Sequence, residues 1–147
     1  MDDLESVFEL NGDCFAESWS NDALKAALEE GYELLLCTDG ELLVGYLLSH
    51  GVLDEVHIMQ VAVAPLYRRR GIAEQLSRNL LAAKPGRTLL LEVRASNHAA
   101  QSLYEKLGFV CSGVRKGYYV PDHEDGIRED AILMHHQSAT DSTGRAP

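Results

Sequence analysis

The chain has 147 residues, 46% of them hydrophobic and 24% charged, with a formal net charge of −10. That length and balance fit one soluble globular domain and exclude a low-complexity or disordered chain. The acidity argues against nucleic acid as a direct partner, since phosphate binding needs clustered Lys and Arg. No apolar run nears the ~20 residues that span a bilayer.

The first segment, DDLESVFELNGDCF, reads as a short acidic amphipathic helix, unlike the charged-then-apolar pattern of a signal peptide. From Ser18, SWSNDALKAALEEGYE predicts a second helix, capped by Ser20 and ended by Gly31. YELLLCTDGELLVGYLLSHG is two apolar runs about Asp39-Gly40, a hairpin signal. EVHIMQVAVAP predicts a third strand stopped by Pro65. In GIAEQLSRNLLAAKPG, Ile72, Leu76, Leu80 and Leu81 share one side of a helix. RTLLLEVRA reads as a strand and NHAAQSLYEKLGF as a helix closed by Gly108. A turn follows, then closing strands, of which REDAILMHH is the last. The tail from about Gln137 is small and polar, with the composition of a disordered end, so the domain is expected over residues 1–136. Helices, an antiparallel meander and then α/β crossovers imply a mixed sheet flanked by helices.

Cys14, Cys37 and Cys111 are odd in number and far apart, which suggests free thiols in a reducing cytosol. Six histidines, including His123 and the pair His135-His136, show no ligand spacing with cysteine, so no metal site is expected.

Two stretches carry chemistry. VAVAPLYRRRGIAEQL is a strand, a basic loop and a helix opened by Gly71. Unpaired N–H groups at a helix start favour an anion such as a phosphate. Gly71 permits close approach, Ala73 is small, and Arg68, Arg69 and Arg70 add positive charge. A basic surface turn would have the same composition. The loop lacks the Gly-Lys-Ser/Thr of a P-loop and two of the three glycines of a dinucleotide fingerprint. In the second stretch, Glu92 interrupts a leucine-rich strand. Alternation puts Leu89, Leu91 and Val93 on one face, with Thr88, Leu90, Glu92 and Arg94 on the other. Glu92 is then either a residue of a wet face or a base. A carboxylate desolvated among leucines accepts a proton more readily, as a general base must.

QVAVAPLYRRRGIAEQL resembles the acetyl-coenzyme A signature of the GNAT superfamily of N-acetyltransferases, Arg/Gln-x-x-Gly-x-Gly/Ala, met by Arg68, Gly71 and Ala73. LLLEVRASNHAAQSLYEKLGF, REDAILM and VLDEV narrow the resemblance to the bacterial ribosomal-protein alanine N-acetyltransferases, over nearly all of residues 2–135. The resemblance implies a GNAT fold, a mixed and mostly antiparallel sheet flanked by helices. It also implies a strand before the first helix, which this sequence does not offer. It implies acetyl-CoA as co-substrate, with Val61, Ala62 and Val63 presenting strand backbone to the pantetheine arm and thioester. Backbone N–H groups of Arg69, Arg70, Gly71, Ile72, Ala73 and Glu74 would wrap the pyrophosphate, although Glu74 is acidic where the family is often basic or neutral. Asn97 would touch the coenzyme. Glu92 would be the general base and Tyr104 the general acid, although the helical spacing of Ala100, Leu103, Tyr104 and Leu107 equally describes a core aromatic. The implied substrate is the basic N-terminal peptide of a small-subunit ribosomal protein, its first alanine acetylated by direct transfer. Tyr118 and Tyr119 of a loop after the last helix would line the peptide groove, although YYVP departs from the family's order there. Glu55 would receive arginines of the peptide.

Two other readings fit the same residues. One is a GNAT enzyme for a lysine, a polyamine or another small amine. The other is an acetyl-CoA-binding module without catalysis, against which Glu92 and Tyr104 together speak.

Overall fold

The computed structural model of the chain describes residues 3–14, 19–119 and 128–137. In chain order they form α1 (Asp3–Cys14), α2 (Asn21–Glu29), β1 (Glu33–Asp39), β2 (Leu42–Val52) and β3 (Glu55–Val63), then a 3-10 turn (Pro65–Tyr67). After the turn come α3 (Ile72–Ala83), β4 (Thr88–Arg94), α4 (His98–Lys106), β5 (Val110–Tyr119) and β6 (Glu129–Gln137). The strands form a six-stranded sheet in the order β1-β2-β3-β4-β6-β5. β1–β2, β4–β6 and β5–β6 pair antiparallel. β3 and β4 pair parallel, at Glu55↔Thr88, Val56↔Leu89 and His57↔Leu90, joined by α3 as a parallel pair requires. The expected mixed α/β sheet with helices is what forms. Among the described residues, no helix is long and apolar enough to cross a membrane. Apart from Gln137, which ends β6, the expected tail lies outside the described residues, as does His123.

The chain falls into two compact units. The first comprises Met1–Gly51 and Ile58–Ala83, the second Val52–His57 and Lys84–Pro147. In the first, Ser20 caps α2 by accepting the Ala23 N–H at 3.0 Å, satisfying one donor that a helix start leaves open. Val7 and Leu10 of α1, Leu24 of α2, Leu43, Tyr46 and Leu48 of β2 and Ala62 of β3 form its core. β2 is buried from Leu43 through Ser49, the burial of a strand covered on both faces. Gly45 marks a close approach there: a Cβ would stand 2.8 Å from Ile72 Cγ2 and 3.1 Å from the Ala62 carbonyl. α3 can rest on β2 because position 45 has no side chain.

In the second unit, Leu89, Leu91 and Val93 of β4 are buried, together with Met134 of β6, Tyr104 and Leu107 near the end of α4, and Phe109. Asn97 caps α4, its Oδ1 accepting the Ala100 N–H at 3.1 Å.

Candidate active site

In the first unit, β3 delivers Val61 and Val63 half-buried and Ala62 buried. Pro65 ends the strand as expected and starts the 3-10 turn. The chain then enters α3 through two left-handed residues, Arg69 at φ 67° and Gly71 at φ 80°. A non-glycine residue there carries strain, of a kind that collects where a ligand is held. A Cβ on Gly71 would meet nothing within 4 Å, so open space lies beside the helix start. Gln75 N–H closes onto the Gly71 carbonyl at 2.9 Å as the first turn forms. The N–H groups of Ile72, Ala73 and Glu74 precede it, where α-helix geometry supplies no intrahelical acceptor.

Side chains brace this loop. Arg68 donates from Nε to the Val63 carbonyl at 3.1 Å, and its Nη2 lies 3.7 Å from Cys14 Sγ. Cys14 Sγ is itself 3.4 Å from the Val63 carbonyl. The Arg70 guanidinium lies 4.8 Å from the Tyr67 ring centroid, and Tyr67 donates its hydroxyl to Asp39 at 2.8 Å. That bond holds the Tyr67 phenol above its usual pKa. Glu74 pairs with Arg78 at 2.8 Å, one helical turn on. Of the three arginines, Arg68 is committed to backbone and Arg70 to an aromatic face. The helix start and Arg69 therefore remain as the features of the loop that an anion could use.

In the second unit, β4 alternates as expected, and Glu92 faces away from the buried side of Leu91 and Val93. It stands on the wet face that the alternation offers and is not desolvated among the leucines: Glu92 is exposed, and Oε2 lies 3.3 Å from Nη1 of Arg115 on β5. The leucines that flank it in sequence point to the other face or lie beside it, so desolvation is not what distinguishes this carboxylate. Tyr104 is 7% exposed and meets Phe109 edge-on, with ring centroids 5.3 Å apart. Phe109 in turn packs on His136 at 5.3 Å. Asn97 is exposed with its carbonyl engaged by α4, so its amide nitrogen is what it could offer a coenzyme. Glu55, at the start of β3, is 3.3 Å from His57 Nε2.

Tyr118 belongs to a strand and not to a loop: it lies on β5, 43% exposed, with the Arg115 guanidinium 4.9 Å from its ring centroid. The side chain of Tyr119 lies outside the described residues, although its backbone pairs with Glu129. Cys14, Cys37 and Cys111 are free, and among the described residues no group of His, Cys, Asp and Glu could hold a metal.

The model of the acetyltransferase (GNAT) family matches residues 4–109. The chain belongs to the GNAT family. It is 36% identical over 135 residues to the ribosomal protein bS18-alanine N-acetyltransferase of Escherichia coli strain K12, covering 90% of this chain and 89% of that protein. To its counterpart from Salmonella typhimurium it is 35% identical over 130 residues, covering 85% and 88%. The crystal structure of the ribosomal-protein-S18-alanine N-acetyltransferase from Escherichia coli superimposes with a TM-score of 0.88 at 32% identity, covering 99% of this chain and 94% of that one.

The GNAT family uses acetyl-CoA, so this chain is an acetyl-CoA-dependent acetyltransferase. Arg69 is among the loop residues the sequence offers, but its left-handed backbone carries no residue-type signal, because arginine is not a turn former. Arg115, beside Glu92, is the residue that sequence reasoning missed. Arg115 lies on a strand whose apolar alternation is broken by Gly113 and Gly117, and its pairing to Glu92 depends on strand order alone.

Proposed function

We propose that this GNAT enzyme moves the acetyl group of acetyl-CoA onto the α-amine of the N-terminal alanine of a small-subunit ribosomal protein, bS18. What carries the reading is the 36% identity to the Escherichia coli alanine N-acetyltransferase across nine-tenths of both chains. The glycine-opened, strained entry to α3 agrees with it. Backbone N–H groups from Arg69 to Glu74 hold the pyrophosphate, and the backbone of Val61, Ala62 and Val63 carries the pantetheine arm and the thioester. Asn97 adds a contact from the start of α4.

In the reaction the amine nitrogen bonds to the thioester carbon. Glu92 takes a proton from that nitrogen, directly or through a water. The C–S bond then breaks, and Tyr104 gives a proton to the departing thiolate. Proton transfer from Glu92 back to Tyr104 through solvent completes the cycle, leaving acetyl-amide and coenzyme A. Only the neutral amine attacks. At pH 7 that form costs about 1 kcal/mol for an α-amine of pKa about 7.7–8.0, against about 4.6 for a lysine near 10.4. The smaller cost favours an N-terminal amine over a lysine as acceptor. The net charge of −10 suits a basic peptide, with Glu55 and the tyrosines Tyr118 and Tyr119 as its contacts.

Intact-mass analysis of a basic peptide beginning with alanine, incubated with acetyl-CoA and the protein, tests this directly. One added acetyl group is expected, and none on a matched peptide with a blocked N-terminus and free lysines. Acetylation of the blocked peptide would replace the reading with a lysine enzyme. Coenzyme binding with no transfer to either peptide would leave a small amine as acceptor or a non-catalytic binder.

A further inference from the structure

We infer that Arg115 is a positioning residue for Glu92, and that through it the ring of Tyr118 sets the orientation of the carboxylate; this rests on the role proposed above for Glu92. Register puts Glu92 and Arg115 on one face of the second unit, and the Tyr118 ring meets the Arg115 guanidinium. Glu92 of β4 pairs with Leu133 of β6, which pairs with Gly113 of β5. Two residues on, Ala131 pairs with both Arg94 and Arg115. The β5 residue level with Glu92 is therefore a glycine with no side chain to offer. Arg115, next on the same face, reaches diagonally to Glu92 Oε2 at 3.3 Å. The other arginine of that face, Arg94, is bonded to Glu129 at 3.2 Å, and Glu129 also accepts the Ser96 N–H.

The guanidinium has two attachments of different kinds, a carboxylate oxygen and, 4.9 Å away, the Tyr118 ring. A planar guanidinium stacked on an aromatic keeps fewer orientations than a lysine ammonium would, so the oxygen it holds is fixed in direction. With Oε2 held, the proton of the amine goes to Oε1. The pair is too exposed to serve stability: the side chains keep 54% and 31% of their accessible surface, and such ion pairs contribute little to folding. Charge and orientation act on a base in opposite senses. The charge of Arg115 is screened by water in so exposed a pair. A reacting group displaced by about an ångström loses roughly a hundredfold. Orientation wins, and loss of Arg115 lowers turnover. Because Tyr118 is a proposed peptide contact, this arrangement also ties occupancy of the peptide groove to the setting of the base.

Steady-state kinetics with the alanine peptide, in wild-type and Glu92→Gln backgrounds, test the inference. Arg115→Gln is expected to lower kcat by about 10- to 100-fold with the acetyl-CoA KM within about twofold and the melting temperature unchanged. Arg115→Lys recovers only part of the loss. Tyr118→Leu costs about three- to tenfold, and Tyr118→Phe, which keeps the ring, recovers part of that loss. In the Glu92→Gln background, Arg115→Gln costs no more than about twofold further. An equal loss in both backgrounds, or full activity of Arg115→Gln, would overturn the inference while leaving Glu92 as the base. Full activity of Glu92→Gln itself would instead remove the base role and the inference with it.

Discussion

The phenol of Tyr46 donates to the amide oxygen of Gln60 at 2.8 Å inside the first unit, where Tyr46 is fully buried and Gln60 8% exposed. Gln60 passes the chain on from Nε2 to Asn11 Oδ1 at 3.0 Å, and Asn11 donates to the Trp19 carbonyl at 2.6 Å. Burial pushes the Tyr46 phenol well above its usual pKa. One polar line thus joins β2, β3 and α1 through a core that excludes water, and Gln60 immediately precedes the Val61 backbone assigned to the coenzyme.

Buried polar groups cost most when only one partner is removed. Tyr46→Phe deletes the donor to Gln60 and is expected to lower stability by about 1–3 kcal/mol. Gln60→Leu breaks two bonds and should cost more. Urea denaturation of the two variants gives the order; a Gln60→Leu protein as stable as wild type would show the line to be dispensable.

Two glycines separate packing from ligand approach. Gly45→Ala places a methyl 2.8 Å from Ile72 Cγ2 and is expected to destabilise by about 1–3 kcal/mol through overpacking. Gly71→Ala meets no atom within 4 Å, so in the free protein it costs only the left-handed backbone, about 1 kcal/mol. Its main effect is expected in calorimetric titration with acetyl-CoA, as a Kd raised about tenfold or more. Unchanged affinity in Gly71→Ala would place the pyrophosphate elsewhere.

His136 gives a pH dependence of definite sign. Burial, and then the charge of His135, holds its pKa below the ordinary histidine value. Its Nδ1 is buried without a hydrogen-bond partner among the described residues. Below about pH 6.5 the unfolded chain protonates this imidazole while the folded one resists, so unfolding takes up protons and stability rises with pH. The contribution is complete above about pH 6.5 and is lost as pH falls through the lower folded value. Chemical denaturation at pH 8, 6.5 and 5 should show this loss, and His136→Leu should flatten the slope in the acidic interval.

Arg68 is expected to act on the coenzyme through the backbone it holds. Arg68→Ala takes the guanidinium away from the Val63 carbonyl and the Cys14 thiol, which then keep only each other, and should raise the acetyl-CoA KM about tenfold. Arg68→Lys should rescue poorly, since an ammonium cannot reproduce the guanidinium fork. Equal activity of the lysine variant would mean that charge alone matters at this position.

Local chemistry made most of the architecture readable in advance. The Ser20 cap, the Asp39-Gly40 turn, the stop at Pro65 and the four-residue stripe of α3 are short-range features, and each forms where its residues predict. β5 resisted because register shifts between Cys111 and Gly113 and between Arg115 and Tyr119 break its period of two. Tyr118 was misread as a loop residue for that reason. The outward setting of Glu92 is one of the two readings the strand offers, and it follows from the alternation that turns Leu89, Leu91 and Val93 inward. Its partner Arg115 is 23 residues away in sequence, and only strand order brings the two together.

The bond from Tyr67 to Asp39 fastens the tip of the first hairpin to the turn that leads into α3. A substitution at Asp39 would therefore be felt in the backbone that enters α3, 30 residues further along the chain, with no change to any residue of that loop.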